Sequence, residues 1–417
     1  VDRDAIFPSW RPPTGGLHPT AEVEREPVLD VLRGFALLGI LVINITVMRG
    51  ADVHRLLAGH ELEPTSGVDR VVGALASWLF AGKFIASFAL LFGVGAGLLA
   101  GRALARGRSP RGLLAARYAW LVVFGLAHMV LLFPGDILFV YGVTGLILLA
   151  FLELRPARAL RWGVGSVVAV AALVATAAAT SAAGGGGAIA RWPAARGPQA
   201  IEAFTAGSYL DILETHAWQA LVLQIGQLGA VPWILGLFLI GFATARAGIA
   251  PDLAGHRPLL RRLAALGLGL GLPLSAVLAR ADPLPLVLGT AGASLGGAWR
   301  ILIPVAQQLG APLLAVGYLA GLALVSLRWG SLGPLAAVGR MALSGYLLQS
   351  LLALVVFGGF DQYDRMGAGG SMVVVLGIWL ILLVVCPLWL RAFRFGPAEW
   401  VWRSLTYGAV QPLRRAR

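Results

Sequence analysis

A polytopic bundle of transmembrane α-helices is the fold class this sequence predicts, on three observations. Hydrophobic residues make up 58% of the chain and charged residues only 13%, with a mean hydropathy of +0.81, whereas soluble domains carry about 25% charged residues. The apolar residues gather into about ten runs near the roughly 20-residue length that a membrane-crossing helix needs. The loops between them alternate between arginine-rich and arginine-poor. A chain threaded back and forth with its basic loops on the cytoplasmic side has that pattern.

In chain order, residues 1–27 are polar and proline-rich and precede any apolar run, which predicts a flexible cytoplasmic tail. The N-terminal helices occupy 28–183, with spans at Val28–Met48, Leu75–Gly101, Leu113–Phe133, Ile137–Leu154 and Trp162–Ala183. A glycine-rich linker and polar outward loop cover 184–216. The C-terminal helices fill 217–390, with spans at Ala217–Ala245, Leu259–Leu278, Leu302–Leu327, Leu335–Phe357 and Met372–Leu390. Leu284–Gly297 is too short and glycine-rich to span, which predicts an interfacial or re-entrant segment. Residues 391–417 form a basic, tryptophan-rich tail, read as an interfacial helix in which Glu399 and Arg403 pair at i, i+4.

The net charge is +13, and Lys83 is the only lysine. In such a chain, positive charge means cytoplasmic loops and anionic lipid head groups. Nucleic acid is not an expected partner, because no basic stretch interleaves with exposed aromatics on a soluble fold. The arginine clusters follow the second, fourth and sixth spans and fill the tail. Both termini are therefore expected in the cytoplasm, with the Pro134 turn facing outward. Cys386 stands alone, which excludes a disulfide framework and a cysteine metal site, and no metal is expected. Gly93, Gly97 and Gly101 make a small-residue stripe for close helix packing. Gly292-Ala-Ser294-Leu-Gly296 matches the serine-hydrolase elbow as a string, but the strand–turn–helix context is missing.

Ionisable groups inside spans are costly and are candidate functional sites. The segment Gly125–Tyr141 predicts a hairpin with His128 inside the first crossing and Asp136 at the Pro134-Gly135 turn. Each has a plainer alternative, a helix cap for Asp136 and an interhelical hydrogen bond for His128. On the first span Asp30, Arg33 and Asn44 fall within roughly 60° of one another. Asp30 and Arg33 are spaced to pair. Lys83 lies a few turns inside the second span, either snorkelling to the interface or paired. His128 lies about 9 Å below the Pro134 turn, a depth that Asn44 and Lys83 share under this topology. The four groups are thus expected to converge in the outer half of the bundle. A second polar set near the C-terminus comprises Arg340, Ser344, Tyr346 and Gln349. Arg340 there suits a phosphate, a lipid head group or interfacial water.

These residues carry a resemblance. Leu29-Asp30-Val-Leu-Arg33-Gly34 through Asn44, Gly82-Lys83-Phe84, Gly125-Leu-Ala-His128 with Gly135-Asp136-Ile-Leu, Gly339-Arg340-Met-Ala-Leu with Tyr346-Leu-Leu-Gln349, and Gly396-Pro-Ala-Glu399-Trp400-Val-Trp402-Arg403 resemble, in order, motifs of the YeiB family. The matches run over nearly the whole chain, and the C-terminal ones fall in that family's domain of unknown function. More distantly the family resembles transmembrane acyltransferases such as heparan-glucosaminide N-acetyltransferase. That implies an O- or N-acyltransferase in a bacterial plasma membrane, moving an acyl group from cytoplasmic acyl-CoA (acetyl-CoA) to an acceptor on the outer side. Under that implication His128 is the general base and Asp136 its orienting partner. Lys83 or Asn44 stabilises the oxyanion. Asp30, Arg33, Arg340, Ser344, Tyr346 and Gln349 hold the cofactor, with the two arginines on its phosphates. His54 and His60 are the other histidine candidates. Expected partners are membrane lipids, a small-molecule, glycan or lipid acceptor, and a second copy in a homodimer. The alternative function is a transporter or lipid-binding protein without acyl transfer.

Overall fold

Proline in the first turn of α1 (Pro27–Met48) starts the helix where its missing N–H is not needed. The computed structural model describes residues 26–57, 66–180, 197–288, 297–330 and 332–415. His60, most of the N-terminal tail, the tetraglycine and the end of the Leu284–Gly297 segment lie outside them, as does the side chain of His54. Ser66 caps α2 (Gly67–Leu79) by accepting from Asp69 N–H, and α3 (Lys83–Ala105) follows after a break at Gly82. Gly82 has φ +78°, a left-handed conformation that glycine adopts without strain. The hairpin is α4 (Arg111–Leu131) and α5 (Leu138–Leu148), the latter prolonged by a 3-10 turn to Phe151. Next comes α6 (Pro156–Thr180).

The stretch expected as a polar loop from Arg191 to His216 is instead largely helical where it is described, with a short helix Gly197–Thr205 and then α7 (Tyr209–Leu228). The local cause is Ser208, whose N–H and hydroxyl both donate to Asp211 at the helix start. α8 (Val231–Arg246) continues α7 after a 61° bend. The rest of the chain forms α9 (Arg257–Ala276), α10 (Trp299–Trp329), α11 (Gly333–Arg340), α12 (Ala342–Leu354), α13 (Ala368–Ala392) and α14 (Pro397–Tyr407). Pro283–Leu288 is a short helix, in keeping with a segment that does not span. Among the described residues eight helices are long and apolar enough to cross a membrane, or nine if the bent α7–α8 pair is one span. The remaining expected span, Ile137–Leu154, is the short apolar helix α5 with its 3-10 extension.

The bundle is organised around α1. Two thirds of its apolar stretch, 67%, is buried, against 17% for α6 and 28% for α13. α3, α10, α11, α12 and α13 all pack on α1. α13 shows the other kind of helix, with Val373, Leu376, Leu380, Val384 and Leu388 exposed at helical spacing. Such a stripe suits lipid. Lipid tails are as apolar as leucine, so close van der Waals packing through small residues must hold the helices together. A Cβ on Gly34 would land 2.0 Å from the Leu335 carbonyl oxygen, and one on Gly339 would land 1.8 Å from that of Asp30. α1 and α11 therefore touch backbone to backbone. Gly93 of α3 and Gly241 of α8 form a like pair, at 2.0 Å from Phe238 O and 1.9 Å from Leu90 O. The expected glycine stripe holds at Gly93 and Gly97. Gly101 does not share in it, since its Cβ would meet only the Arg246 guanidinium at 3.8 Å.

At one end of the bundle a clasp joins the loop after α12 to the segment after α1. Asp364, at φ +62°, donates its N–H to Arg49 O at 2.8 Å and accepts from Ala51 N–H at 3.2 Å. Its carboxylate also pairs with Arg55 on the short helix Asp52–Leu57.

Candidate functional site

The site grows out of the α4–α5 turn. Gly125 lets the two helices approach until a Cβ there would be 2.3 Å from Phe139 N and 2.8 Å from Asp136 Oδ2. That approach carries the Asp136 carboxylate to His128, one turn after Gly125 on α4. His128 Nδ1 lies 2.7 Å from Asp136 Oδ1, and both side chains are wholly buried. The other carboxylate oxygen accepts the Phe139 N–H at 2.8 Å. Asp136 is thus both the start-of-helix acceptor and the imidazole's partner. α7 fixes the turn from outside. Gln224 donates to Asp136 O at 2.9 Å, Tyr209 to Leu131 O at 2.6 Å, and His216 Nδ1 lies 3.2 Å from Val130 O. The last two contacts satisfy carbonyls that the end of α4 would otherwise leave open.

The second imidazole nitrogen meets a residue that sequence reasoning did not place in the site. His128 Nε2 lies 2.9 Å from Ser350 Oγ on α12, and Ser350 is 1% exposed. Asp136, His128 and Ser350 thus form an acid–imidazole–hydroxyl chain of the kind that activates a serine hydroxyl on unrelated folds. One turn earlier on α12, the Tyr346 ring lies on the imidazole at 4.8 Å between centroids. The Tyr346 hydroxyl is buried, with Asn44 and the Ile137 backbone as its hydrogen-bonding neighbours. The signal for Ser350 in the sequence was faint. It sits four residues after Tyr346 on an otherwise apolar helix, but 222 residues from His128.

Tyr346 also faces a cavity of about 600 Å³ that runs to the arginine-rich end of the bundle. Its apolar part is walled by Phe88, Phe92, Leu121, Ile137, Leu138 and Tyr141. Six arginines from six helices line the remainder, Arg33, Arg102, Arg117, Arg246, Arg340 and Arg403, against three carboxylates, Glu26, Asp30 and Glu399. Two of those carboxylates are engaged. Asp30 pairs with Arg33 at 2.8 Å, as the i, i+3 spacing predicts. Glu399 accepts Leu343 N–H at 2.6 Å, Ser344 N–H at 3.0 Å and the Ser344 hydroxyl. It therefore caps α12 from a distant helix, and the expected i, i+4 pair with Arg403 is not what holds it. Burial raises the Glu399 carboxyl above its ordinary value despite the Ser344 contacts, and burial lowers Arg403 to about 10. α14 lies less on the surface than expected. Trp402 is 8% exposed, donates to Arg117 O at 2.9 Å, and carries the Arg117 guanidinium 3.9 Å above its ring.

The structure gathers some of the candidates and separates others. His128 and Asp136 are bonded, and Asn44 joins them through Tyr346. Asp30, Arg33, Arg340 and Tyr346 line the cavity. Ser344 is engaged by Glu399, and Gln349 turns toward α1, donating to Leu37 O at 3.3 Å. Lys83 does not enter the His128 hydrogen-bond network. It is fully buried and donates to Ser77 O at 3.0 Å. The break at Gly82 starts α3 beside the end of α2, where the lysine amine meets an orphan carbonyl. Arg102, Arg117, Arg246 and Arg403 were legible in the sequence only as loop or tail charges. Among the described residues no cluster of histidine, cysteine and carboxylate side chains suits a metal ion.

A family described as "Protein of unknown function (DUF418)" matches residues 244–409. Among curated proteins, "Uncharacterized protein YxaH" of Bacillus subtilis is 28% identical over 95% of this chain and 98% of its own length. "Uncharacterized protein YeiB" of Escherichia coli is 30% identical over 94% of this chain and 98% of its own length. No solved structure matches. End-to-end similarity at that level makes the chain a member of the YeiB family.

Proposed function

We propose that the protein is a transmembrane acyltransferase, taking an acyl group from acyl-CoA at the arginine-rich end, which is cytoplasmic, to an acceptor hydroxyl or amine on the other side of a bacterial plasma membrane. One observation carries the reading. One cavity is lined both by arginines and by apolar residues together with Tyr346, and Tyr346 lies against a buried His128–Asp136 pair. A volume of about 600 Å³ is in the range of small-molecule sites. Arginines at the mouth suit the phosphates of a CoA, and an apolar shaft suits its pantetheine arm and acyl group. Asp136 would fix the imidazole tautomer with a proton on Nδ1, leaving Nε2 as the base. The Tyr346 hydroxyl, with Asn44, would meet the oxyanion that develops on the thioester carbonyl. The test is purified protein with acetyl-CoA labelled in the acetyl group. Transfer or hydrolysis that His128→Ala removes supports the reading. Neither turnover nor CoA binding would refute it.

A second reading, transport, is favoured by one observation. A small cavity of about 30 Å³ lies on the Pro134 side, lined by Phe133, Pro134, His216 and Ser350. The two cavities would then be two halves of a gated path. Proton-coupled flux in proteoliposomes without acyl transfer would decide for it.

A further inference from the structure

We infer that Ser350 is a covalent relay: it accepts the acyl group on Oγ from the donor chamber and surrenders it to an acceptor arriving from the opposite side. This inference rests on the acyltransferase reading. Two features of the structure carry it. Ser350 Oγ is within hydrogen-bond distance of His128 Nε2, whose other nitrogen is held by Asp136, all three being buried. The two cavities also flank this layer without sharing a lining residue. Tyr346 lines the large one and Ser350 the small one, one helical turn apart on the same face of α12. A direct attack would require donor thioester and acceptor in one chamber. A serine between two chambers requires neither to cross, only the Tyr346 ring to yield to the acyl carbon.

The chemistry balances without a further reagent. The Ser350 hydroxyl oxygen attacks the thioester carbonyl while its proton passes to His128 Nε2. The tetrahedral oxyanion is met by the buried Tyr346 hydroxyl, which lies beside Asn44. The carbon–sulfur bond breaks, and the departing thiolate takes the proton from the imidazole. An acceptor hydroxyl or amine then repeats the sequence on the serine ester and regenerates the Ser350 hydroxyl. The small cavity has room for about one water, so without an acceptor the ester should hydrolyse slowly.

The experiment uses the full chain in detergent with acetyl-CoA labelled in the acetyl group and no acceptor, quenched in acid and mapped by peptide mass spectrometry. The expected result is a burst of free CoA thiol equal to the protein present, with label on the peptide containing Ser350 that hydroxylamine releases. Ser350→Ala should bind acetyl-CoA with unchanged affinity and show no label, with release of free CoA lowered at least about 100-fold. Ser350→Cys, which keeps a nucleophile at the same atom, should still become labelled, now as a thioester. Ser350→Ala releasing CoA at the wild-type rate, or wild-type turnover with no label at Ser350, overturns the relay and leaves the acyltransferase reading intact. Absence of both CoA binding and turnover in the wild type overturns both.

Discussion

Gly125→Ala is the sharpest test of how the site is built. The added methyl would sit 2.3 Å from Phe139 N and 2.8 Å from Asp136 Oδ2. Both contacts are with the turn that begins α5, and Phe139 N is backbone that no side-chain rotation can move. To reach ordinary contact, α5 must retreat from α4 by about 1 Å. Overpacking of that kind costs about 1–3 kcal/mol. The same retreat lengthens the His128–Asp136 contact from 2.7 Å to beyond the roughly 3.2 Å limit of a good hydrogen bond. A misplacement of about 1 Å in a reacting constellation lowers turnover by about 100-fold. Thermal unfolding in detergent reads the first effect. ¹⁵N spectra of the His128 imidazole read the second, because loss of the Asp136 partner frees the tautomer. Acyl transfer reads the third. An alanine variant with wild-type melting and an unchanged imidazole spectrum would refute the close approach on which the arrangement depends.

Four further outcomes are expected. Lys83→Met should melt lower by about 1–3 kcal/mol, since Ser77 O loses its donor at a buried helix end, while turnover per folded molecule stays at the wild-type level. Arg246→Ala should raise the KM for acetyl-CoA about tenfold with kcat unchanged, the size of one charged hydrogen bond. Glu399→Gln keeps an acceptor for Leu343 N–H and Ser344 N–H. The wild-type carboxyl is raised by burial, so its protonated form fits the fold better, and its contribution to stability falls as pH rises through the folded value. The variant should therefore gain on the wild type in a melting series from acid to neutral pH. At the clasp, burial raises Asp364, but the hydrogen bonds from Arg55 and Ala51 N–H and the charges of Arg55 and Arg49 together outweigh it and hold the carboxyl below its ordinary value of 3.8. Its stabilisation is present above that value and is lost as pH falls through the lower, folded one. Asp364→Asn should flatten the acid side of the melting profile.

The sequence by itself determined the membrane bundle, the hairpin at Pro134 and the pairing of Asp30 with Arg33, because these depend on neighbours in the chain. Apolar run length, turn residues and i, i+3 spacing each act within a few residues. It also marked His128 and Asp136, since an eight-residue hairpin lets two groups at its rim and in its last turn meet. Tertiary structure alone decided the rest. Ser350 lies on a helix 222 residues away from its imidazole, and no local pattern sets which faces of α4 and α12 meet. Lys83 was placed with His128 by depth, but depth says nothing of rotation about the helix axis, and the Gly82 break turned the lysine Nζ to Ser77 instead. The six cavity arginines come from helices spread across the chain. As loop and tail charges they fixed only an expected sidedness; the packing of α1, α3, α4, α8, α11 and α14 made them one surface. In lipid that packing is set by which backbones can touch, and glycine positions such as Gly34, Gly125 and Gly339 carry that information without revealing which partner each will meet.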